Sequence, residues 1–384
     1  MSVGLLRPSV PSKSFHAACA RRGCRGQTGK INIPTRSFLM KTRITELFGI
    51  KYPILLSGMS WISVPKMVTA VSNAGGLGIL ATGPLTPKQT REAVREIRKS
   101  TDKPFGANAS LLLPAGADNA KVLLEEQVPV INFALGKGDW IVKRAHAYGG
   151  KVIATVVNSR HAKRAQDYGS DAVIATGHEA AAHGDSITSF LLIPSLADEL
   201  KVPVIAAGGV GDGRGLAAAL SLGAEGIAMG TRFMTTKESP LHDNFKKLSL
   251  EKEVYDTIFS TRFDGIPCRV LKTDTAEKMV KRGFNLPAAI ANSREIAEQM
   301  GLPYFKLFVG VLASGVKNAR QLAFLANAFR AIRVATEDGN MAEGVLPVGQ
   351  VTGLIKDEPS IAELIERMVA EARQVNSRLG AALE

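Results

Sequence analysis

The chain has 384 residues, 45% of them hydrophobic, and no apolar run approaches the roughly 18 residues that a membrane-spanning helix needs. The formal charge of +13 is uneven: residues 1–39 hold Arg7, Lys13, Arg21, Arg22, Arg25, Lys30 and Arg36 and no acid, and the remainder, with 41 basic and 35 acidic residues, carries +6. A basic excess that is half tail, with no Lys/Arg stripe interleaved with aromatics, argues against a nucleic-acid partner, and the length supports one large α/β domain with a smaller addition.

Residues 1–39 are also rich in serine and contain Pro8, Pro11, Gly23 and Gly26. An acid-poor, Arg-rich stretch fits an organellar transit peptide. The prolines and glycines interrupt any amphipathic helix, which favours a disordered extension or a true start at Met40. A cytoplasmic location is expected, with a mitochondrial one as the alternative if the extension targets the chain. Of the three cysteines, Cys19 and Cys24 lie in this tail and Cys268 stands alone. That usage suits a reducing compartment, not a disulfide framework, and an isolated Cys268 reads as inert before it reads as a nucleophile.

From Tyr52 onward, short apolar runs alternate with helical patterns. The runs are Tyr52–Leu56, Leu77–Ala81, Pro104–Leu111, Val128–Leu135, Lys151–Val157, Ala172–Thr176, Val202–Gly209 and Gly226–Phe233. They are continuous, not alternating, as strands buried on both faces of a parallel sheet are. A helix is predicted from Thr86 as N-cap, with Pro87 first and Gln89 closing a capping box, to Lys99. Eight β/α repeats predict a TIM (β/α)8 barrel over residues 40–239. A doubly wound sheet is the alternative, and even spacing of the repeats disfavours it.

Residues 240–345 read as a small, mainly helical domain over the barrel mouth, with no regular strand repeat. Within it, Leu322, Leu325, Ala326, Phe329 and Ile332 are spaced as one helix face. Residues 346–384 return to the barrel through a helix capped by Ser360 and Glu363, with Ile361, Leu364, Ile365, Met368, Val369 and Ala372 as its buried stripe.

Barrel active sites lie at the C-terminal strand ends, and phosphate is commonly held after strands seven and eight. AAGGVGDGRG (206–215) and MGTRF (229–233) occupy those ends, so Gly208, Gly209, Gly230 and Thr231 are candidate phosphate ligands. SGMSW (57–61) ends strand one and places Gly58 and Met59 where a planar ring could lie. Asn108 sits in an apolar strand and must either satisfy the barrel or bind a ligand. TGHEAAAHG (176–184) follows strand six; His183, a residue type titrating ordinarily near pH 6.5, suits proton abstraction, and His178 is the weaker candidate. No His/Cys/carboxylate spacing suggests a metal site.

Taken together, YPILLSGMS, NAGGLGIL, KPFGAN, TGHEAAAHG, PVIAAGGVGDGRG, MGTRF and VGQVTGLI resemble the flavin-dependent nitronate monooxygenase family. Its superfamily includes flavin-type enoyl-acyl-carrier-protein reductases and quinone reductases. The resemblance implies an FMN-binding barrel in which Gly58 and Met59 flank the flavin and Asn108 and Thr176 contact its ring or ribityl chain. Gly208, Gly209, Gly230 and Thr231 would hold the phosphate, and Ala181 and Met229 would complete the cofactor-binding set. His183 matches the family's catalytic histidine, and Gln350 matches a glutamine near the site. Ala181 and Ala182 stand where the family has two glycines, and Thr176 where it often has glutamine.

The implied activity is a nitronate monooxygenase, oxidising alkyl nitronates with O2 to a carbonyl compound and nitrite. FDGIPCRVLK (263–272) resembles that branch's F-x-G-x-P-x-R stretch. The alternative is an NAD(P)H-dependent flavin reductase of enoyl thioesters or quinones, which GDGRG and KESPLH resemble. A flavin-free phosphate-binding barrel with a regulatory role is a third reading. Small-molecule substrates are expected, with neither nucleic acid nor membrane as partner, and a homodimer is compatible with the sequence.

Overall fold

The computed structural model describes residues 40–299, Tyr304 and residues 315–384; the expectations about the 1–39 extension fall outside these. Eight parallel strands form the barrel. They are β1 (Ile54–Leu56), β2 (Gly78–Ala81), β3 (Phe105–Ser110), β4 (Val130–Ala134), β5 (Lys151–Val156), β6 (Ala172–Thr176), β8 (Val204–Ala207) and β9 (Gly226–Met229). A short strand, β7 (Ala182–His183), lies outside the barrel sheet. The order is β1-β9-β8-β6-β5-β4-β3-β2, and a parallel bridge between Leu55 and Leu77 brings β2 back to β1. The TIM barrel expected from the sequence is the fold.

The apolar runs divide between two cores, as pleating requires. Leu55, Ile79, Val130, Ile153, Ile174, Ile205 and Ala228 pack together with Ile44 and Phe48. These last two come from the helix Arg43–Phe48, which begins with a Thr42 capping box. Their strand neighbours Ile54, Leu80, Ile131, Val152, Val173, Val204 and Ile227 pack in a second core with residues of the surrounding helices. Each fully buried Leu or Ile contributes about 1.5–3 kcal/mol.

The helix Pro87–Ser100 has the predicted cap: the Thr86 side chain accepts from the Gln89 N–H, and Gln89 accepts from the Thr86 N–H at 2.9 Å. The final helix, Ile361–Leu383, buries all six residues of its predicted stripe, and its Glu371 accepts from the Gly213 N–H at 2.8 Å. Among the described residues, no helix is long and apolar enough to cross a membrane.

Three expectations are corrected. The last barrel run does not continue as strand to Phe233: β9 stops at Met229 and Thr231–Met234 forms one helical turn. Four apolar-rich residues carry no periodicity that separates strand from helix. Second, residues 240–345 are mainly helical as expected, but β10 (Thr257–Ser260) and β11 (Cys268–Leu271) join β7 in an antiparallel sheet ordered β10-β11-β7. Third, the helix Val316–Arg333 buries Phe324, Ala326, Ala328 and Ala331, while Leu322, Leu325, Phe329 and Ile332 are half-buried. Ala328 and Ala331 pack with Phe263 and with Cys268 and Val270 of the small sheet, where small side chains allow a close approach.

Candidate active site

The predicted site residues converge at the C-terminal ends of the barrel strands. Parallel register puts Met229 beside Leu56 and Thr176 beside Ala207. Gly58 follows β1, and a methyl group there would lie 2.7 Å from Asn108 Cβ. The Met59 sulfur lies 3.3 Å from where a Gly230 Cβ would stand, so Met59 covers the end of β9. Met229, Thr176 and Asn108 are buried, whereas Gly58 is exposed. Asn108 serves the barrel in part: its Nδ2 donates to Asn132 Oδ1 at 2.7 Å, and Asn132 Nδ2 donates to Thr155 Oγ1 at 3.0 Å. The Asn108 side-chain oxygen, Oδ1, accepts only a long bond, 3.4 Å, from Ser110 Oγ.

The strand-seven loop turns through two consecutive left-handed glycines, Gly208 (φ +106°) and Gly209 (φ +73°), a conformation that costs glycine little. Gly230 is the N-cap of the turn Thr231–Met234, whose first N–H groups have no intrahelical acceptor. Thr231 Oγ1 accepts from the Gly349 N–H at 3.0 Å, which leaves its own O–H to donate. Backbone N–H groups and a hydroxyl at adjacent strand ends suit a phosphate monoester. One carboxylate is nearby: Glu179 accepts from the Ser189 N–H at 3.2 Å and lies against Gly209. Arg269 offsets that charge. Burial holds the Arg269 guanidinium below its ordinary value, while the charge of Glu179 pulls the other way. The residues present fit a phosphorylated flavin.

The loop after β6 carries the histidines. His178 is structural: its Nδ1 is 2.8 Å from the Asp185 carbonyl, its C=O accepts from the Arg269 guanidinium at 2.9 and 3.1 Å, and its ring packs edge-on against Phe259 at 4.5 Å. His183 is different. Its strand pairs with β11, so that His183 stands opposite Cys268 and Ala182 opposite Arg269. Its Nε2 is 2.6 Å from Asp264 Oδ2. Asp264 is 4% exposed and Cys268 1%. Burial, and then the negative Asp264 beside it, push the Cys268 thiol well above its ordinary value. The thiol therefore stays protonated, and its Sγ lies within 4.8 Å of the Asp264 carboxylate and the His183 ring.

Ala182, in place of the family's glycine, has φ +53°, whereas Ala181 is not left-handed. Gln350, predicted near the site, is there: its N–H donates to the Glu179 carbonyl at 3.0 Å. Sequence reasoning missed Asp264. The signal available was a carboxylate within an otherwise apolar Phe-Asp-Gly-Ile-Pro turn; what it faces, 81 residues earlier in the chain, leaves no mark in local spacing. Nor did the sequence suggest that His183, Asp264 and Cys268 place ligand atoms within 4.8 Å of one another. The 2.6 Å between His183 and Asp264 is a direct hydrogen-bond distance.

A nitronate monooxygenase family model matches residues 41–126 and 117–371. A (3aS,4S,5R,7aS)-5-hydroxy-7a-methyl-1-oxo-octahydro-1H-indene-4-carboxyl-CoA dehydrogenase of Rhodococcus jostii is 38% identical over 347 residues, covering 89% of this chain and 98% of its own. A probable nitronate monooxygenase of Staphylococcus aureus is 28% identical over 293 residues, 64% of this chain and 82% of its own. Among solved structures, FabK from Thermotoga maritima aligns with a TM-score of 0.76 at 35% identity, covering 89% of this chain and 99% of its own. The nitroalkane oxidase of Streptomyces ansochromogenes aligns with a TM-score of 0.69 at 25% identity, covering 88% and 99%. With that match along the barrel, the strand-end cradle and the small sheet, the chain belongs to the nitronate monooxygenase family and is a flavin-dependent oxidoreductase.

Proposed function

We propose that the protein is an FMN-dependent dehydrogenase of a ring-carboxyl thioester of coenzyme A, with His183 as the base. The observation that carries this reading is the 2.6 Å contact between His183 and the buried Asp264. An imidazole backed by a carboxylate is suited to taking a proton from a neutral carbon acid. A nitronate is already an anion; beside a buried carboxylate it meets a neutral or negative pair instead of a cation. The 38% identity to an indene-carboxyl-CoA dehydrogenase, over 98% of that protein, supports the same substrate class.

In this reading the proton on the carbon next to the thioester carbonyl passes to His183. A hydride leaves the neighbouring carbon with its bonding pair, giving the unsaturated thioester. Bound FMN supplies the two-electron acceptor, held by Gly208, Gly209, Gly230 and Thr231 at its phosphate, with Gly58, Met59, Asn108, Thr176, Ala181 and Met229 around the rest. Turnover then needs an external electron acceptor, which a dye provides in the assay.

Nitronate oxidation is the second reading, supported by the family model and the FDGIPCR stretch. NAD(P)H-dependent reduction of an enoyl thioester or a quinone is the sequence-based alternative, and reduction of the enoyl double bond is the first reaction's carbon chemistry run backwards. One anaerobic titration separates them by flavin absorbance. Bleaching by cyclohexanecarboxyl-CoA supports the dehydrogenase. Bleaching by ethyl nitronate alone would establish the monooxygenase instead, and bleaching by NADH or NADPH alone would make the protein a reductase.

A further inference from the structure

We infer that Asp264 and Cys268 are positioning residues for His183: Asp264 accepts the imidazole Nε2–H and so presents Nδ1 as the proton-accepting nitrogen, and the Cys268 thiol holds the carboxylate in place. The inference rests on the reading of His183 as the base.

Four observations support it. The Nε2–Oδ2 distance is 2.6 Å, at the short end expected when one partner is ionised. His183 sits on paired backbone, because β7 and β11 pair with His183 opposite Cys268, and Asp264 lies in the turn that leads into β11. Asp264 is itself held from two sides, since its Oδ1 accepts from the Ile266 N–H at 3.1 Å and its C=O accepts from Gln321 Nε2 at 2.8 Å, and the Cys268 Sγ lies within 4.8 Å of its carboxylate. The His183 side chain is 28% exposed and that of Asp264 6%, so the imidazole alone reaches the site. Arg269, the other charged group near Cys268, is committed to the His178 carbonyl and to Thr257 Oγ1 at 2.9 Å.

In the F-x-G-x-P-x-R stretch, Asp264 and Cys268 occupy two of the unspecified positions. A general base works through the nitrogen that its hydrogen-bonded partner leaves free, and a partner that can flip, such as an amide, allows the wrong tautomer.

The test uses flavin-loaded, full-length protein labelled with 15N at histidine, with His183→Ala assigning the resonance. Wild type should show His183 protonated at Nε2. Asp264→Asn should shift the proton toward Nδ1 and lower kcat about 10²–10⁴-fold, with KM within threefold and flavin content unchanged. Asp264→Glu should recover at least about tenfold of that loss, which a merely structural role would not give. Cys268→Ala should lower kcat severalfold, and Cys268→Ser, which keeps a donor, should restore it. An Asp264→Asn protein with wild-type kcat and an unchanged tautomer would overturn the inference, as would a wild-type His183 protonated at Nδ1. If Asp264→Asn fails to fold, Asp264→Glu and the wild-type spectrum still decide. Failure of the substrate reading appears separately, as wild-type protein that leaves the thioester untouched while the tautomer behaves as stated.

Discussion

Ala182 is an alanine in a glycine's conformation, and a pair of substitutions measures what that costs. At φ +53° an L-residue carries about 1–2 kcal/mol of steric strain. Ala182→Gly removes it. The same change loses part of a methyl contact with the cluster of Phe263, Cys268 and Val270, about 0.4 kcal/mol for a half-buried methyl. It also widens the unfolded ensemble by about 0.4–1 kcal/mol. The net effect is close to neutral, about 0.4 kcal/mol stabilising at the centre of these ranges. Ala181→Gly, also half-buried but not left-handed, suffers both losses with no relief and should destabilise by about 1 kcal/mol. Ala182→Gly should therefore exceed Ala181→Gly in stability by about 1–2 kcal/mol. Urea unfolding at saturating FMN, with equal m-values for the two variants, reads the difference. Equal losses would mean that the backbone at Ala182 is unstrained and that the β7–β11 pairing does not impose its φ.

Other changes probe the cofactor cradle, the barrel lumen and acid stability. Gly58→Ala drives a Cβ to 2.7 Å from Asn108 Cβ, and overpacking of 1–3 kcal/mol should weaken flavin binding about tenfold or more; fluorescence titration giving wild-type affinity would remove Gly58 from the flavin site. Asn132→Leu leaves the buried Asn108 Nδ2 without its 2.7 Å acceptor and should cost about 1–3 kcal/mol, with a smaller loss in urea unfolding counting against the network. Glu126 is gripped by Arg91 at 2.6 Å, Arg95 at 2.9 Å and Arg98 at 3.3 Å. Hydrogen bonds from Arg95 and then Arg91 hold it below its ordinary value of 4.5, against the opposing effect of burial. Because its pKa is lowered in the folded state, its contribution is fully present above pH 4.5 and is lost as pH falls through the folded value. Glu126→Gln should be less stable at pH 7, and the gap from wild type should close below pH 4; a gap independent of pH would refute this.

What the sequence disclosed and what it hid divide along one physical line. The barrel was legible because Ile54–Leu56, residues 130–133 and Ala172–Thr176 are buried throughout, and burial on both faces writes a continuous apolar run. The caps at Thr86 and Ser360 were legible because a capping box is local, closed within three residues. The helix Val316–Arg333 was found but its face was misread. It has two sets of neighbours, with Phe329 against Trp61 at 4.4 Å and Ala328 and Ala331 against the small sheet, so apolar residues occur around it and no single stripe marks the buried side. The small sheet stayed hidden because β7 has only two residues and β10 is half-buried along its length, so neither shows alternation. The same holds for the chemistry. His183 was recognisable from the residues around it, but the group that orients it is a carboxylate 81 residues away, reached through the pairing of Ala182 and His183 with Arg269 and Cys268. A contact made between loops has no period. The isolated Cys268, which alone reads as inert, takes on a role only when the fold sets its thiol against the carboxylate that holds the base.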